Sequence, residues 1–95
     1  MTDQVVDNAQ QARFELEVDG QLAELVYERH GDRFVLVHTE VPEALEGRGL
    51  GGRLVSAALA EAEAKGLTIV ARCPFAKQWL RTHPDAAARV LVVYQ

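Results

Sequence analysis

From Ala12 onward the chain alternates. Phe14, Leu16 and Val18 are apolar while Arg13, Glu15 and Glu17 between them are charged, the period of a strand with one wet face. Asp19-Gly20 follows, a dipeptide that accepts positive φ at a tight hairpin turn, and "QLAELVYER" resumes with Leu22, Leu25 and Tyr27. These runs predict an antiparallel pair. "HGD", His30 to Asp32, predicts a second turn. "RFVLVHTEV" after it is apolar on both faces from Phe34 to Val37, as in a central strand covered on two sides. Pro42 ends that strand, because it cannot donate to a ladder and biases Val41 toward extended geometry.

Beyond Pro42 the period changes. Leu50, Leu54, Ala58 and Ala62 recur every four residues, Val55 and Leu59 lie beside them, and Gly66 stands where a C-cap belongs. This predicts an amphipathic helix of about four turns. "LTIVARC" has almost no polar alternation and reads as an interior strand. A helix joining two buried strands predicts that they run parallel through a right-handed crossover. "PFAKQWLRTHP" starts with Pro74 at a favourable first-turn position and stops before Pro84, predicting a helix of about two turns. "ARVLVVYQ" predicts a last strand. The expected order is β-β-β-α-β-α-β, an α/β (α+β) domain with a mixed sheet over residues 12–95. Residues 1–11 are polar, without period, and expected to form a mobile tail.

Composition narrows the function. A chain of 95 residues supports one small core burying roughly 60 to 65% of the unfolded surface. The net charge is −4 and the acidic residues are scattered, so no basic face is available to neutralise a nucleic acid backbone. The apolar runs are far shorter than a membrane span. The lone Cys73 cannot form an internal disulfide, and "MTDQVVDNAQQAR" lacks the basic and apolar regions of a signal peptide, which together predict a reducing, cytoplasmic setting. No His/Cys/Asp/Glu group has metal-ligand spacing, so no metal is expected.

The densest signal is "EALEGRGLGGRL", with Gly47, Gly49, Gly51 and Gly52 at the mouth of the long helix and Arg48 and Arg53 among them. Gly47-x-Gly49-x-x-Gly52 matches the dinucleotide fingerprint literally. That fingerprint, however, needs a strand running straight into the glycines and an acidic residue about 20 positions on. "PEALE" intervenes here, and the region near Arg72 has no carboxylate. A P-loop would need Lys-Ser or Lys-Thr after the last glycine. Two readings remain: a plain glycine-rich turn, or a cradle in which bare helix-start amides and the dipole hold an anion.

"VPEALEGRGLGGRLVSAAL" resembles motif A of the GCN5-related N-acetyltransferase (GNAT) superfamily, whose Gln/Arg-x-x-Gly-x-Gly/Ala loop wraps the diphosphate of acetyl-coenzyme A. The pattern falls on Glu46, Gly47, Arg48, Gly49, Leu50 and Gly51, with Gly52 adjoining and Glu46 replacing the usual Gln or Arg. Together with "LVHTEVP" and "CPF...WLRTHP" the loop is similar to a compact single-domain GNAT subfamily, over residues 12–85. The resemblance implies a GNAT-type fold that binds acetyl-CoA. Its third and fourth strands should splay at a bulge, with the pantetheine arm pairing with backbone at Thr39, Glu40 and Val41. The acceptor would be an amine that the chain does not specify.

Acetyl transfer to an amine needs a base, a stabilised oxyanion and a proton for the departing thiolate. His38, just upstream of the expected pantetheine contacts, is the candidate base; the plainer reading of a histidine in an apolar strand is a core residue bonded to backbone. Cys73 precedes the short helix, whose N-terminus would favour a thiolate. It is therefore a candidate acid or acyl carrier, against the alternative of an inert core thiol. Larger GNAT enzymes place an acidic tyrosine on this helix, where this chain has Trp79; Phe75, Trp79 and Leu80 read as core. The expected activity is a slow N-acetyl transfer, the alternative a CoA-binding module without turnover, and the expected state a monomer or weak homodimer.

Overall fold

A computed structural model describes residues 4–95. The strands are β1 (Val6–Asn8), β2 (Arg13–Val18), β3 (Gln21–His30), β4 (Arg33–Glu40), β5 (Thr68–Ala71) and β6 (Val92–Tyr94). The helices are α1 (Leu50–Lys65), α2 (Pro74–Thr82) and α3 (Pro84–Ala87), and a 3-10 turn spans Glu43–Leu45. One six-stranded sheet forms in the order β1 to β6. The meander is antiparallel through β4, and β4–β5 and β5–β6 are parallel. The α/β class with a mixed sheet and the parallel crossover are as expected.

Local chemistry accounts for the turns. Asp19 and Gly20 both have positive φ, 53° and 75°, the pairing of a type I′ hairpin that matches the strand twist. Gly66 closes α1 in the left-handed region, and the Leu67 amide reaches back to the Ala62 carbonyl at 2.8 Å.

Two parts of the expectation are corrected. The polar segment expected as a tail contains β1, which pairs with β2 and is fastened by polar bonds. Tyr27 Oη donates to Asp7 Oδ1 at 2.7 Å, and Asn8 Nδ2 to Glu15 Oε2 at 3.0 Å. A strand held by hydrogen bonds at a sheet edge has no apolar period to announce it. Residues 1–3 of that segment lie outside the described residues. The second correction concerns the covered central strand. The buried apolar side chains of α1 and α2 join a single cluster with Phe14, Leu16, Leu25, Tyr27, Phe34, Leu36, Ile69 and Ala71, and Ala86 and Ala87 of α3 pack on it. Val35 and Val70 are buried on the opposite face, outside that cluster. In register Val35 lies between Glu28 and Val70, so neighbouring strand side chains, and not a second helix layer, enclose it. That second face also carries Arg13, bonded to Glu15 at 2.6 Å and to Glu24 at 3.3 Å.

Candidate functional site

The site begins where the β4–β5 ladder stops. Pairing runs from Arg33↔Thr68 to Leu36↔Ala71, after which the amides of Arg72 and Cys73 both turn to the Leu36 carbonyl, at 3.1 and 2.9 Å. Beyond this point the end of β4 leaves β5 and borders a cavity of about 610 Å³. Its wall comprises His38 to Val41, Leu45 and Glu46, Gly47, Gly49 to Gly52, Phe75 and Trp79. The expected splay is therefore present.

A bulge sets which side chains face which way. Val26 pairs with His38 but Tyr27 pairs with Leu36, so Val37 is an extra residue on β4. Plain alternation from Phe34 and Leu36 would turn His38 and Glu40 toward the core. One inserted residue reverses this. Thr39 pairs with the buried Leu25, on the core side, whereas His38 and Glu40 fall on the opposite face beside Val26 and Glu24. His38 is exposed, so the core-histidine reading is corrected, and its Nε2 lies 2.7 Å from Glu40 Oε1.

The glycine loop supplies the other wall. Leu45, 1% exposed, plugs the 3-10 turn into the core, a burial that contributes about 2 kcal/mol and fixes the approach to the loop. Gly47 and Gly49 have φ of 85° and 76°, conformations costly for any residue with a Cβ. Gly49 is the N-cap and has no side chain with which to cap. The first intrahelical bond is Arg53 N–H to its carbonyl at 3.2 Å, so the amides of Leu50, Gly51 and Gly52 are the open donors of the helix start. Gly51 and Gly52 are small for another reason. A Cβ on Gly51 would meet Phe75 ring carbons at 2.7 Å, and one on Gly52 would meet Trp79 Nε1 at 2.6 Å. Two rings of α2 thus rest on the first turn of α1.

The expected site residues divide accordingly. Thr39, Glu40, Val41, Glu46, Gly47, Gly49, Leu50, Gly51, Gly52 and His38 all line the cavity. Arg48 lies elsewhere: its Nη1 pairs with Asp19 Oδ2 in the β2–β3 hairpin at 3.1 Å. Cys73 is 2% exposed, and its Sγ is hydrogen-bonded to Thr39 Oγ1 at 3.1 Å. The thiol thus meets the cavity wall through Thr39. Phe75, read as core, is 43% exposed and lines the cavity, as does the half-buried Trp79; Leu80 alone of the three is fully core. The signal for Phe75 and Trp79 was the glycine pair, since adjacent glycines inside a helix mark close approach of another group.

Among the described residues no Lys or Arg lines the cavity, and its acidic members are Glu40 and Glu46. An anion there depends on backbone amides and the helix dipole. No grouping of metal-ligating side chains occurs among the described residues, and no described helix is long and apolar enough to cross a membrane.

This geometry agrees with comparisons to known proteins. A family model of the GCN5-related N-acetyl-transferases matches residues 13–90. Protein NATD1 of Mus musculus is 34% identical over 83 residues, covering 84% of this chain and 76% of its own, and that of Gallus gallus is 33% identical over 84, covering 85% and 76%. The solution NMR structure of a GCN5-like protein from Staphylococcus aureus aligns with a TM-score of 0.73 at 27% identity, over 100% of this chain and 91% of that one. With the glycine loop, the splayed strands and the family match in agreement, this chain belongs to the GCN5-related N-acetyltransferase family.

Proposed function

We propose that the domain binds acetyl-CoA and transfers the acetyl group slowly to a primary amine. The observation that carries the reading is the continuity of one cavity from the uncapped amides of α1 to the end of β4 that has parted from β5. The first-turn amides of Leu50, Gly51 and Gly52 would hold the diphosphate. The backbone of Thr39 to Val41, released from β5, has polar groups with which an amide-bearing arm can pair. When bound, acetyl-CoA supplies an activated acyl thioester. His38 is the base for the proton that the amine loses, and Cys73, acting through Thr39, is the proposed source of a proton for the departing sulfur. The second reading is a CoA-binding module without turnover. It is favoured by the burial of the Cys73 thiol and by Trp79 on α2 where larger relatives have tyrosine.

Thermal shift with CoA, acetyl-CoA and NAD tests the binding step. A ligand at about 100 times its Kd stabilises the fold by roughly 2.7 kcal/mol. Shifts with both CoA species and none with NAD are expected; no shift with either CoA species refutes the reading. Thiol release over a panel of amines then separates the enzyme from the module.

A further inference from the structure

A histidine serves as a base when one ring nitrogen is kept as acceptor and the other is engaged. His38 and Glu40, two positions apart, share a face of β4 that the Val37 bulge turns away from the core, with Nε2 2.7 Å from Oε1. The neighbouring carboxylates on that face already have a cation. Glu24, directly across from Glu40, takes Arg13 Nη1 at 3.3 Å, and Glu15 takes Arg13 Nε at 2.6 Å. Glu40 is left to His38. The chain repeats the pair away from the cavity, where His30 Nε2 lies 3.0 Å from Glu28 Oε1 on β3. The same bond thus forms twice, and of the two pairs only His38 and Glu40 border the cavity.

We infer that Glu40 is a positioning residue acting through its side chain: its carboxylate accepts Nε2–H and keeps Nδ1 of His38 as the proton acceptor. The inference rests on the proposed reaction, with His38 as its base. Nδ1 gains the proton that the amine nitrogen loses, Nε2–H stays with Glu40, and no proton passes to the carboxylate.

The test uses the full chain and its Glu40→Ala, Glu40→Gln and His38→Gln variants. Long-range proton–nitrogen imidazole spectra at pH 8, which need no turnover, are expected to show His38 with its proton on Nε2 in the wild type and as mixed tautomers in Glu40→Ala. His30, unchanged throughout, is the internal reference. A wild-type mixture, or a Glu40→Ala spectrum identical to wild type, overturns the inference. In amine acetylation, kcat should fall on the order of 10-fold in Glu40→Ala and 100-fold in His38→Gln, with KM for acetyl-CoA within about twofold. Glu40→Gln, which keeps an acceptor oxygen, should recover part of the loss, and Glu40→Ala should cost nothing further in the His38→Gln background. Full kcat in Glu40→Ala with loss in His38→Gln overturns the positioning role alone. Full kcat in His38→Gln overturns the base and the positioning role together, leaving CoA binding to the thermal-shift measurement.

Discussion

Replacing Gly49 by alanine isolates the backbone contribution to the loop. A Cβ there meets nothing within 4 Å, and the residue has φ of 76°, so any cost comes from the left-handed conformation and none from a clash. That conformation costs a residue with a Cβ about 1–2 kcal/mol, while the stiffer unfolded chain returns about 0.4–1 kcal/mol. The net expectation is a destabilisation of about 1 kcal/mol. For a chain of 95 residues this lowers Tm by roughly 4–8 °C. Asparagine, which tolerates this region, should cost visibly less. Relaxation of Gly49 out of the left-handed well would also turn the amides of Leu50 to Gly52 away from the cavity, so the stabilisation by CoA should shrink in Gly49→Ala more than in Gly49→Asn. The assay is a thermal melt of each variant with and without CoA. Equal melting temperatures for wild type and Gly49→Ala, together with an undiminished CoA shift, would refute the reasoning from strain to cradle.

Gly52→Ala tests the opposite mechanism, a clash without strain: Trp79, the single tryptophan, must leave Gly52 although His83 stacks on it at 3.9 Å. Its fluorescence should change while the far-UV spectrum holds, and an unchanged emission maximum would contradict the contact. Tyr27→Phe removes the 2.7 Å bond to Asp7, costing about 1 kcal/mol because Asp7 stays solvated, and β1 amides should exchange faster than those of β2. Burial, aided by Asp7, raises the Tyr27 pKa. Its neutral form is therefore favoured in the fold, and stability should be complete below the unfolded value of about 10 and decline above it; Tyr27→Phe should lack that component in alkaline denaturation. Hydrogen bonds from Arg13 and then Asn8 lower the Glu15 pKa. The contribution of Glu15 is thus present above its unfolded value of about 4.3 and lost as pH falls through the folded one, so Glu15→Gln should flatten the acid limb of a stability–pH curve.

Much of this molecule was legible in order of periodicity. Alternation at Phe14, Leu16 and Val18, the four-residue spacing from Leu50 to Ala62 and the stops at Gly66 and Pro42 each report a local relation between a side chain and one apolar face. Such relations hold wherever a core exists. The Asp19-Gly20 turn was legible for a similar reason, since its backbone conformation needs no distant partner. The glycine loop likewise marked the cavity wall before any contact was known.

Other features depended on partners distant in sequence. β1 is held by Tyr27 and Glu15, Arg48 is drawn off to Asp19, and Phe75 and Trp79 lean on glycines a helix away; none of these pairings leaves a period in the chain. The facing of His38 is the sharpest case. Sequence established that a histidine lies near the end of β4, but only the unpaired Val37 decided that it turns away from the core toward Glu40. A strand's side chains alternate with period two, so a single extra residue, fixed by pairing with β3, inverts every one beyond it.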